Sequence, residues 1–321
     1  MRKFWSDALL SAVSTLLALA LFVGAYELWK SYEYDNWKSE FEETGDWYGK
    51  LTVPSENATM LWEYRSNGEV EKWGSVIRTN RHGFRDREHE RDKREGVLRI
   101  AFAGDSVTLG IGVDLDRTFV RRVEALGRTR FPTAEIETLG FAVDGYNAIQ
   151  VMELIGERAM PFSPDIVVYV MCMNDFDLEG DSAGKMKYFR KPDSFFLLRL
   201  EKFFQQFSEY HDYHFRKNKA LVFERIVEIK NRLAAEGAEF FVALVPVFPE
   251  DGFADYPLAH THEEIDRQLS EKGVAVLNLL ESPLAQGAMP RAFAMDVWHL
   301  NEEGHGLVAQ HLVESLLGRG N

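Results

Sequence analysis

Five short apolar runs alternate with longer amphipathic segments from Leu98 onward, and this alternation restricts the fold more than any other feature of the chain. The short runs predict buried strands, and the segments with apolar residues three to four apart predict helices. Strands that alternate with helices form a parallel sheet through right-handed crossovers. The chain is therefore expected to adopt an α/β fold in which helices cover both faces of a five-stranded parallel sheet. The five runs are "VLRIAFAG", "EIETLG", "PDIVVYVMC", "AEFFVALV" and "VAVLNLL".

The N-terminal run from Ala8 to Tyr26 contains no charged residue. Nineteen helical residues reach about 28 Å, close to the roughly 30 Å hydrocarbon core of a bilayer. Arg2 and Lys3 precede the run, which predicts a cytoplasmic N-terminus and a main body outside the membrane. We expect an uncleaved membrane anchor at residues 1–30. A signal peptide cleaved after Ala25 is the alternative, although the run is longer than a usual signal sequence.

The charge balance and the missing motifs exclude several function classes. Lys and Arg total 37 against 51 Asp and Glu, a net charge of −14, which argues against a nucleic-acid partner because phosphate binding needs a basic surface. The chain has no phosphate-loop motif. The glycines at 110 and 112 lack the third glycine of a dinucleotide fingerprint, and Asp105 would repel a pyrophosphate. "HTHEE" does not fit the HExxH zinc pattern. We expect no cofactor and no metal.

The composition divides the remainder of the chain. Residues 31–97 are predicted to form a membrane-proximal spacer and lead-in segment, in which the charged run from Arg85 to Glu95 indicates a solvated linker or a domain boundary. Residues 98–321 form the main domain. An insertion at about 177–217 is rich in aromatic residues and leucine. It is expected to be a lid over an acyl or glycan pocket or a segment on the membrane surface, or else an ordinary helical excursion packed on the sheet.

Residues with chemical potential follow the ends of the predicted strands. In open parallel sheets, ligands bind outside the carboxyl ends of the strands. Five residues that acyl-transfer chemistry uses fall in the loops at this edge: Ser106, Gly145, Asn174, Asp296 and His299. This placement predicts a site along one edge of the sheet.

These five residues suit nucleophilic catalysis. A serine hydroxyl is a weak nucleophile unless a base removes its proton; His299 is the candidate base, and Asp296 is the candidate that orients its ring. The backbone N–H groups of Ser106 and Gly145 and the side-chain amide of Asn174 are candidate oxyanion donors. The alternative readings are structural: a helix cap at Ser106, a positive-φ turn at Gly145, loop caps at Asn174 and Asp296, and a packed histidine at His299.

Four short blocks in the chain resemble those of the SGNH (GDSL) hydrolase superfamily, in its membrane-anchored bacterial envelope type. They are "GDSVTLG", the glycine of "DGYN", the asparagine of "MND" and "DVWH", in the family's order and spacing over about residues 98–317. The resemblance implies a flavodoxin-like, doubly wound sheet. It also implies Ser106 as nucleophile, Asp296 and His299 as the other triad members, and an oxyanion hole formed by Ser106, Gly145 and Asn174.

Two residues depart from the family pattern. Val107 replaces the leucine of the name-giving motif, and Met173 stands where family members often have glycine, which could alter the pocket near Asn174. The stretch "NRHGFR" at Asn80–Arg85 resembles a segment that precedes the catalytic domain in envelope members, for which we expect a structural role.

Together these features predict a membrane-anchored serine esterase whose catalytic domain is periplasmic or otherwise extracytoplasmic. Its expected substrates are O-acyl esters, for example O-acetyl esters, of a glycan or lipid. An O-acyltransferase that modifies an envelope polysaccharide is the alternative. It would need a multi-pass partner, because one membrane helix cannot carry acyl groups across the bilayer. A non-catalytic assembly protein on the same fold is the third expectation.

Overall fold

The computed structural model describes residues 2–44, 51–72, 74–178, 193–197, 199–200, 210–249, 253–254, 256–282, 285 and 292–318. Helix α1 spans Arg2–Thr44 and so continues past residue 30, where the anchor was expected to end. Within it, Leu9–Asn36 is long and apolar enough to cross a membrane, and the most apolar window of that stretch is not buried against the rest of the protein. These properties fit either a signal anchor or a signal peptide.

The lead-in segment forms two small antiparallel hairpins. Strands β1 (Thr52–Pro54) and β2 (Trp62–Tyr64) pair in the first hairpin, and β3 (Glu69–Lys72) and β4 (Ser75–Arg78) pair in the second. Apolar side chains of the lead-in, among them the fully buried Trp62, belong to the same core cluster as residues of the main sheet. The lead-in therefore packs on the main domain.

The charged run from Arg85 to Glu95 is exposed over most of its length, but the expectation of a solvated linker is wrong at three of its residues. Arg85, Asp86 and His89 are buried. Asp86 pairs with Arg121 at 3.4 Å, and His89 pairs with Glu137 at 2.7 Å. Burial alone raises the pKa of the Asp86 carboxyl, but Arg121 and His89 outweigh it and hold that pKa below its usual range. Paired charges can be buried, and these partners lie too far along the chain for a local pattern to show them.

The predicted five-stranded parallel sheet is confirmed. It consists of β5 (Val97–Gly104), β6 (Glu135–Ala142), β7 (Ile166–Met171), β8 (Glu239–Leu244) and β9 (Ala275–Asn278). The strand order is β6-β5-β7-β8-β9, and every adjacent pair is parallel. The chain leaves β5 toward β6 and later returns to pair β7 on the other side. The carboxyl ends of these three strands therefore meet at a topological switch point, where α/β sheets bind ligands.

Helices cover both faces of the sheet, as a doubly wound fold requires. They are α2 (Ser106–Leu109), α3 (Phe119–Arg130), α4 (Ala148–Leu154), α5 (Tyr210–Ala235), α6 (Ala259–Glu271) and α7 (Glu302–Leu317). Buried side chains of α3 and α7 form one core cluster. Those of α4, α5 and α6 form the other. Of the expected insertion, residues 179–192, 198 and 201–209 lie outside the described residues, and residues 210–217 form the beginning of α5.

Candidate active site

Ser106 lies at the turn between the end of β5 and helix α2. The helix cap is Asp105, whose carboxylate accepts a hydrogen bond from the Val107 N–H at 2.9 Å. Ser106 is therefore the first helical residue and not the cap. Gly104 allows the tight turn, because a Cβ there would lie 2.3 Å from Thr108 Oγ1. The local sequence thus directs Ser106 to the carboxyl edge of the sheet.

His299 and Asp296 form a continuous hydrogen-bonded chain with Ser106. His299 Nε2 lies 3.0 Å from Ser106 Oγ, and His299 Nδ1 lies 2.7 Å from Asp296 Oδ2. A carboxylate only accepts hydrogen bonds, so Nδ1 carries the proton in the neutral ring, and Nε2 is left to accept from the serine hydroxyl. This arrangement enables His299 to remove a proton from Ser106.

The Asp296 carboxylate also organises its own loop. Its second oxygen accepts hydrogen bonds from the backbone N–H groups of Trp298 at 2.7 Å and His299 at 2.8 Å. Burial acts to raise the pKa of this carboxyl, but the bonds from His299 and Trp298 hold the pKa below its usual value. The carboxylate therefore stays charged opposite the imidazole. Asn301 caps the following helix α7 by accepting from the Gly304 N–H at 3.0 Å.

Asn174 follows β7 and is hydrogen-bonded to the turn that carries Asp105 and Ser106. Its Nδ2 donates to Asp105 Oδ2 at 3.1 Å. An amide nitrogen has two hydrogens, so one remains for a second acceptor. The next residue, Asp175, is fully buried and accepts from the Tyr169 hydroxyl at 2.6 Å and the Cys172 N–H at 3.0 Å. The turn that carries Asn174 is therefore held from the core side.

The buried carboxyl groups of Asp105 and Asp175 and the buried thiol of Cys172 lie near the turn that carries Ser106. Burial raises the pKa of Asp105 and raises that of Asp175 well above its usual value, and the charge of Asp105 adds to the effect on Asp175. Burial and the same two carboxylates raise the pKa of the Cys172 thiol, so it remains protonated. A buried protonated thiol is a poor nucleophile, so Ser106 is the better candidate nucleophile of this cluster.

Gly145 lies in the loop after β6, next to β5. Its φ of +78° belongs to the left-handed region that favours glycine. The same loop contacts β5 through a hydrogen bond from the Val143 N–H to the Gly104 carbonyl at 3.2 Å. The positive φ confirms the structural interpretation of Gly145 as a turn residue. The structure thus brings all five predicted residues to one edge of the sheet.

Two lead-in residues that the sequence did not single out for the site support these loops. The Tyr64 hydroxyl accepts a hydrogen bond from the Asp144 N–H at 3.0 Å, directly before Gly145. The buried Arg85 guanidinium donates to carbonyl oxygens around the end of α2, at Leu109 (2.9 Å), Gly110 (2.6 Å) and Val113 (2.7 Å). The "NRHGFR" stretch indicated a structural role for Arg85, whereas no sequence signal pointed to Tyr64.

The first turn of α5 reaches the loop of the proposed base. The rings of His211 and Trp298 meet edge to face, with centroids 4.7 Å apart. Burial, together with the neighbouring His214, lowers the pKa of His211 to about 4. The residue is therefore neutral near pH 7 and packs as an aromatic ring against Trp298.

Comparison with known proteins gives a matching family model and structures of similar fold. The GDSL-like lipase/acylhydrolase family model matches residues 102–307. No curated protein matches the chain. Solved structures with a similar fold include a lipase from a goat rumen metagenome, which is 18% identical with a TM-score of 0.49; the match covers 69% of this chain and 99% of the lipase.

Two further structures have a similar fold. A catalytic mutant of an acetylxylan esterase from Geobacillus stearothermophilus is 15% identical with a TM-score of 0.47, over 68% of this chain and 93% of the esterase. A GDSL-like lipase from Bacteroides thetaiotaomicron is 15% identical with a TM-score of 0.42, over 69% and 88%. At this identity the likeness concerns the fold and says nothing about the substrate.

Proposed function

Because the chain belongs to the GDSL-like lipase/acylhydrolase (SGNH) family of carboxylic ester hydrolases, we propose that it is a membrane-anchored serine esterase. Its proposed substrates are O-acyl esters, such as O-acetyl esters, of an extracytoplasmic glycan or lipid. Ser106, His299 and Asp296 form the proposed triad. The observation that carries this proposal is the uninterrupted chain from Asp296 through His299 to Ser106 Oγ, with contacts of 2.7 and 3.0 Å.

The proposed reaction has two half-reactions. His299 Nε2 takes the hydroxyl proton while Ser106 Oγ attacks the ester carbonyl carbon, and the negative charge moves to the carbonyl oxygen. Collapse of this intermediate breaks the ester bond, and His299 returns the proton to the departing alcohol. Water then attacks the acyl-serine by the same route and releases the free acid. Asp296 stabilises the imidazolium in both halves.

The proposed oxyanion donors are the backbone N–H groups of Ser106 and Gly145 and the Asn174 amide. Preorganised donors act strongly because they are already aligned when charge develops on the oxygen. The hydrogen bond from Asn174 to Asp105 supports this role, because it restricts the amide before substrate binds. Loss of one such donor typically lowers the rate by about 10²- to 10³-fold.

We further propose that residues 1–30 contain the anchor, that residues 31–97 form the spacer and lead-in, and that residues 98–321 are the hydrolase domain with an insertion at about 177–217. Arg2 and Lys3 before the apolar stretch of α1 support a cytoplasmic N-terminus. The active site then lies outside the cytoplasmic membrane, where acylated envelope glycans and lipid headgroups are accessible.

The full-length protein in detergent micelles tests this function with p-nitrophenyl acetate and longer-chain p-nitrophenyl esters. Mass spectrometry of the quenched reaction should locate an acyl ester on Ser106. The variant Ser106→Ala should lose both the adduct and acid release, whereas Ser55→Ala, a serine of the lead-in, should retain them. An acylated product formed when a glycan acceptor is added would identify a transferase. Unchanged hydrolysis by Ser106→Ala would exclude the proposed mechanism.

A further inference from the structure

A short helical segment of the insertion is attached to the membrane helix through a carboxylate. We call residues 193–197 and 199–200 the docking segment. Glu27 of α1 accepts hydrogen bonds from the backbone N–H groups of Phe195 at 2.9 Å and Phe196 at 2.8 Å, and also from the Ser194 hydroxyl. The first N–H groups of a helix have no partner within the helix, so an acceptor at this point caps it. Here the cap comes from a distant part of the chain.

Ring contacts extend this attachment along α1. Phe196 meets Tyr26 edge to face with centroids 6.2 Å apart, and Phe195 meets Tyr34 at 6.1 Å. Tyr26 and Tyr34 are separated by about two helical turns. The docking segment therefore contacts one stretch of α1 through both hydrogen bonds and aromatic packing.

The position of Glu27 gives the depth of this contact. Glu27 is the first charged residue after the uncharged run Ala8–Tyr26. A charged side chain inside the hydrocarbon core is unfavourable by several kcal/mol, so Glu27 belongs at the membrane–water interface. The N–H groups that Glu27 caps must then lie at the same depth, because they are within hydrogen-bond distance of it.

Apolar side chains at this depth face away from the protein. Leu197 is 63% exposed and Leu200 is 38% exposed, and their i, i+3 spacing places them on one face of the segment. On the adjoining turns of α1, Leu28, Trp29 and Tyr32 are 76%, 53% and 66% exposed. This surface continues the exposed apolar stretch of the span, and Trp and Tyr are enriched at membrane interfaces.

We propose that the docking segment lies on the outer surface of the bilayer beside the anchor, with Leu197 and Leu200 inserted among the lipid headgroups. The inference rests on the proposed membrane anchor. Nine residues lie between Leu200 and Tyr210, so the two can be at most about 35 Å apart when the chain is fully extended. Because His211 contacts Trp298, this attachment limits how far the loop of His299 can lie from the membrane surface. A site held in this way suits esters carried on lipid headgroups or on glycans close to the bilayer.

Site-specific labelling of the full-length protein in vesicles of phosphatidylethanolamine and phosphatidylglycerol tests the proposal. The one native cysteine, Cys172, is buried and does not interfere. An environment-sensitive fluorophore is attached at Leu197→Cys or Leu200→Cys. Leu17→Cys in the span and Leu221→Cys, an exposed leucine of α5, are the controls. Quenching by lipids spin-labelled near the headgroup or deep in the acyl chain is compared with quenching by iodide in the aqueous phase.

The labels at 197 and 200 should be quenched by shallow spin-labelled lipid several-fold more than the label at 221. Glu27→Ala should remove this difference, whereas Glu33→Ala, which removes a carboxylate of α1 paired with Lys30, should preserve it. If labels at 17, 197 and 200 all lack lipid quenching, the anchor itself is wrong. Lipid quenching at 17 alone would overturn the docking proposal, as would labels at 197 and 200 shielded from both quenchers, which would indicate a protein partner or a second copy.

Discussion

The loop that carries Ser106 and the loop that carries Asp296 and His299 are stabilised in opposite ways. Asp105, next to the nucleophile, is 1% exposed, and its carboxylate accepts hydrogen bonds from Val107 and Asn174. The Asp296 side chain is 51% exposed, and its hydrogen-bond partners are His299 and Trp298. Ser106, the proposed nucleophile, is thus positioned by contacts from several parts of the fold, whereas the proposed base His299 is positioned largely within its own loop.

Because of this difference, substitutions in the two loops should affect protein stability and catalytic activity in different proportions. Substitutions beneath Ser106 disturb buried hydrogen bonds and should affect folding and catalysis together. Substitutions in the exposed loop should change the reaction with little effect on folding, because exposed positions contribute little to stability. Four variants test the comparison.

Ser106→Ala should cause the largest loss of activity. Without the hydroxyl no acyl-enzyme forms, and kcat should fall on the order of 10⁴- to 10⁶-fold. Alanine is a good helix former, so the turn after β5 should persist and the melting temperature should change little. Steady-state kinetics with p-nitrophenyl acetate, together with thermal unfolding, measures both effects. A decrease of less than tenfold would show that another group is the nucleophile.

Asp296→Asn should lower kcat by about 10²- to 10⁴-fold and leave the free energy of unfolding within about 0.5 kcal/mol. The amide still accepts from the loop N–H groups, but its NH₂ opposes the Nδ1 proton and favours the wrong imidazole tautomer. The same kinetic assay and urea unfolding measure the two quantities. If the variant is much less stable, the exposed loop of Asp296 contributes to the free energy of unfolding as the buried turn of Asp105 does.

Asp105→Asn should reduce stability by about 1–3 kcal/mol, because one of the N–H donors to this carboxylate, from Val107 or Asn174, would face an NH₂ group in a buried place. The rate should also fall, since Asn174 loses its orienting acceptor. Urea unfolding and kcat are compared with those of Asp296→Asn. Equal stability of the two variants would contradict the proposed difference between the loops.

His305→Gln tests a contact between α3 and α7, the helices that follow the two loops along the chain. Its expected effect is the smallest. His305, in α7 after the base loop, accepts a hydrogen bond from the Phe119 N–H of α3 at 3.1 Å. Burial, with Arg122 and Arg85, lowers its pKa to about 3, against about 6.5 when unfolded. The unfolded chain therefore binds the proton more readily between these values, and stability falls as the pH decreases below about 6.5.

Each His305-linked proton contributes at most about 1.4 kcal/mol per pH unit to this slope. Urea unfolding between about pH 7 and pH 5 should give a steeper loss of stability for the natural protein than for His305→Gln. If the free energies of unfolding of the two proteins changed equally with pH, the pKa of His305 would not differ between the folded and unfolded chain in this range.

The features that sequence predicted depend on local patterns. Buried strands have runs of apolar residues, and the strand ends place Ser106, Gly145 and Asn174 at one edge, so both the sheet and this placement could be anticipated. The catalytic roles of these residues stay predictions. The burial of Asp86 and His89 was missed because their partners, Arg121 and Glu137, come from α3 and β6. No local pattern encodes such long-range pairs.

Because the lead-in packs on the main sheet, the family match does not mark the limits of a fragment that could fold alone. The family match begins at residue 102, inside β5, and ends at residue 307, inside α7. A fragment cut at those limits would lack Tyr64 and Arg85, and its sheet would present a bare apolar flank where Trp62 and Phe84 had packed. The smallest unit able to be exchanged between proteins, or secreted without its helix, therefore starts before Leu51 and retains the whole of α7.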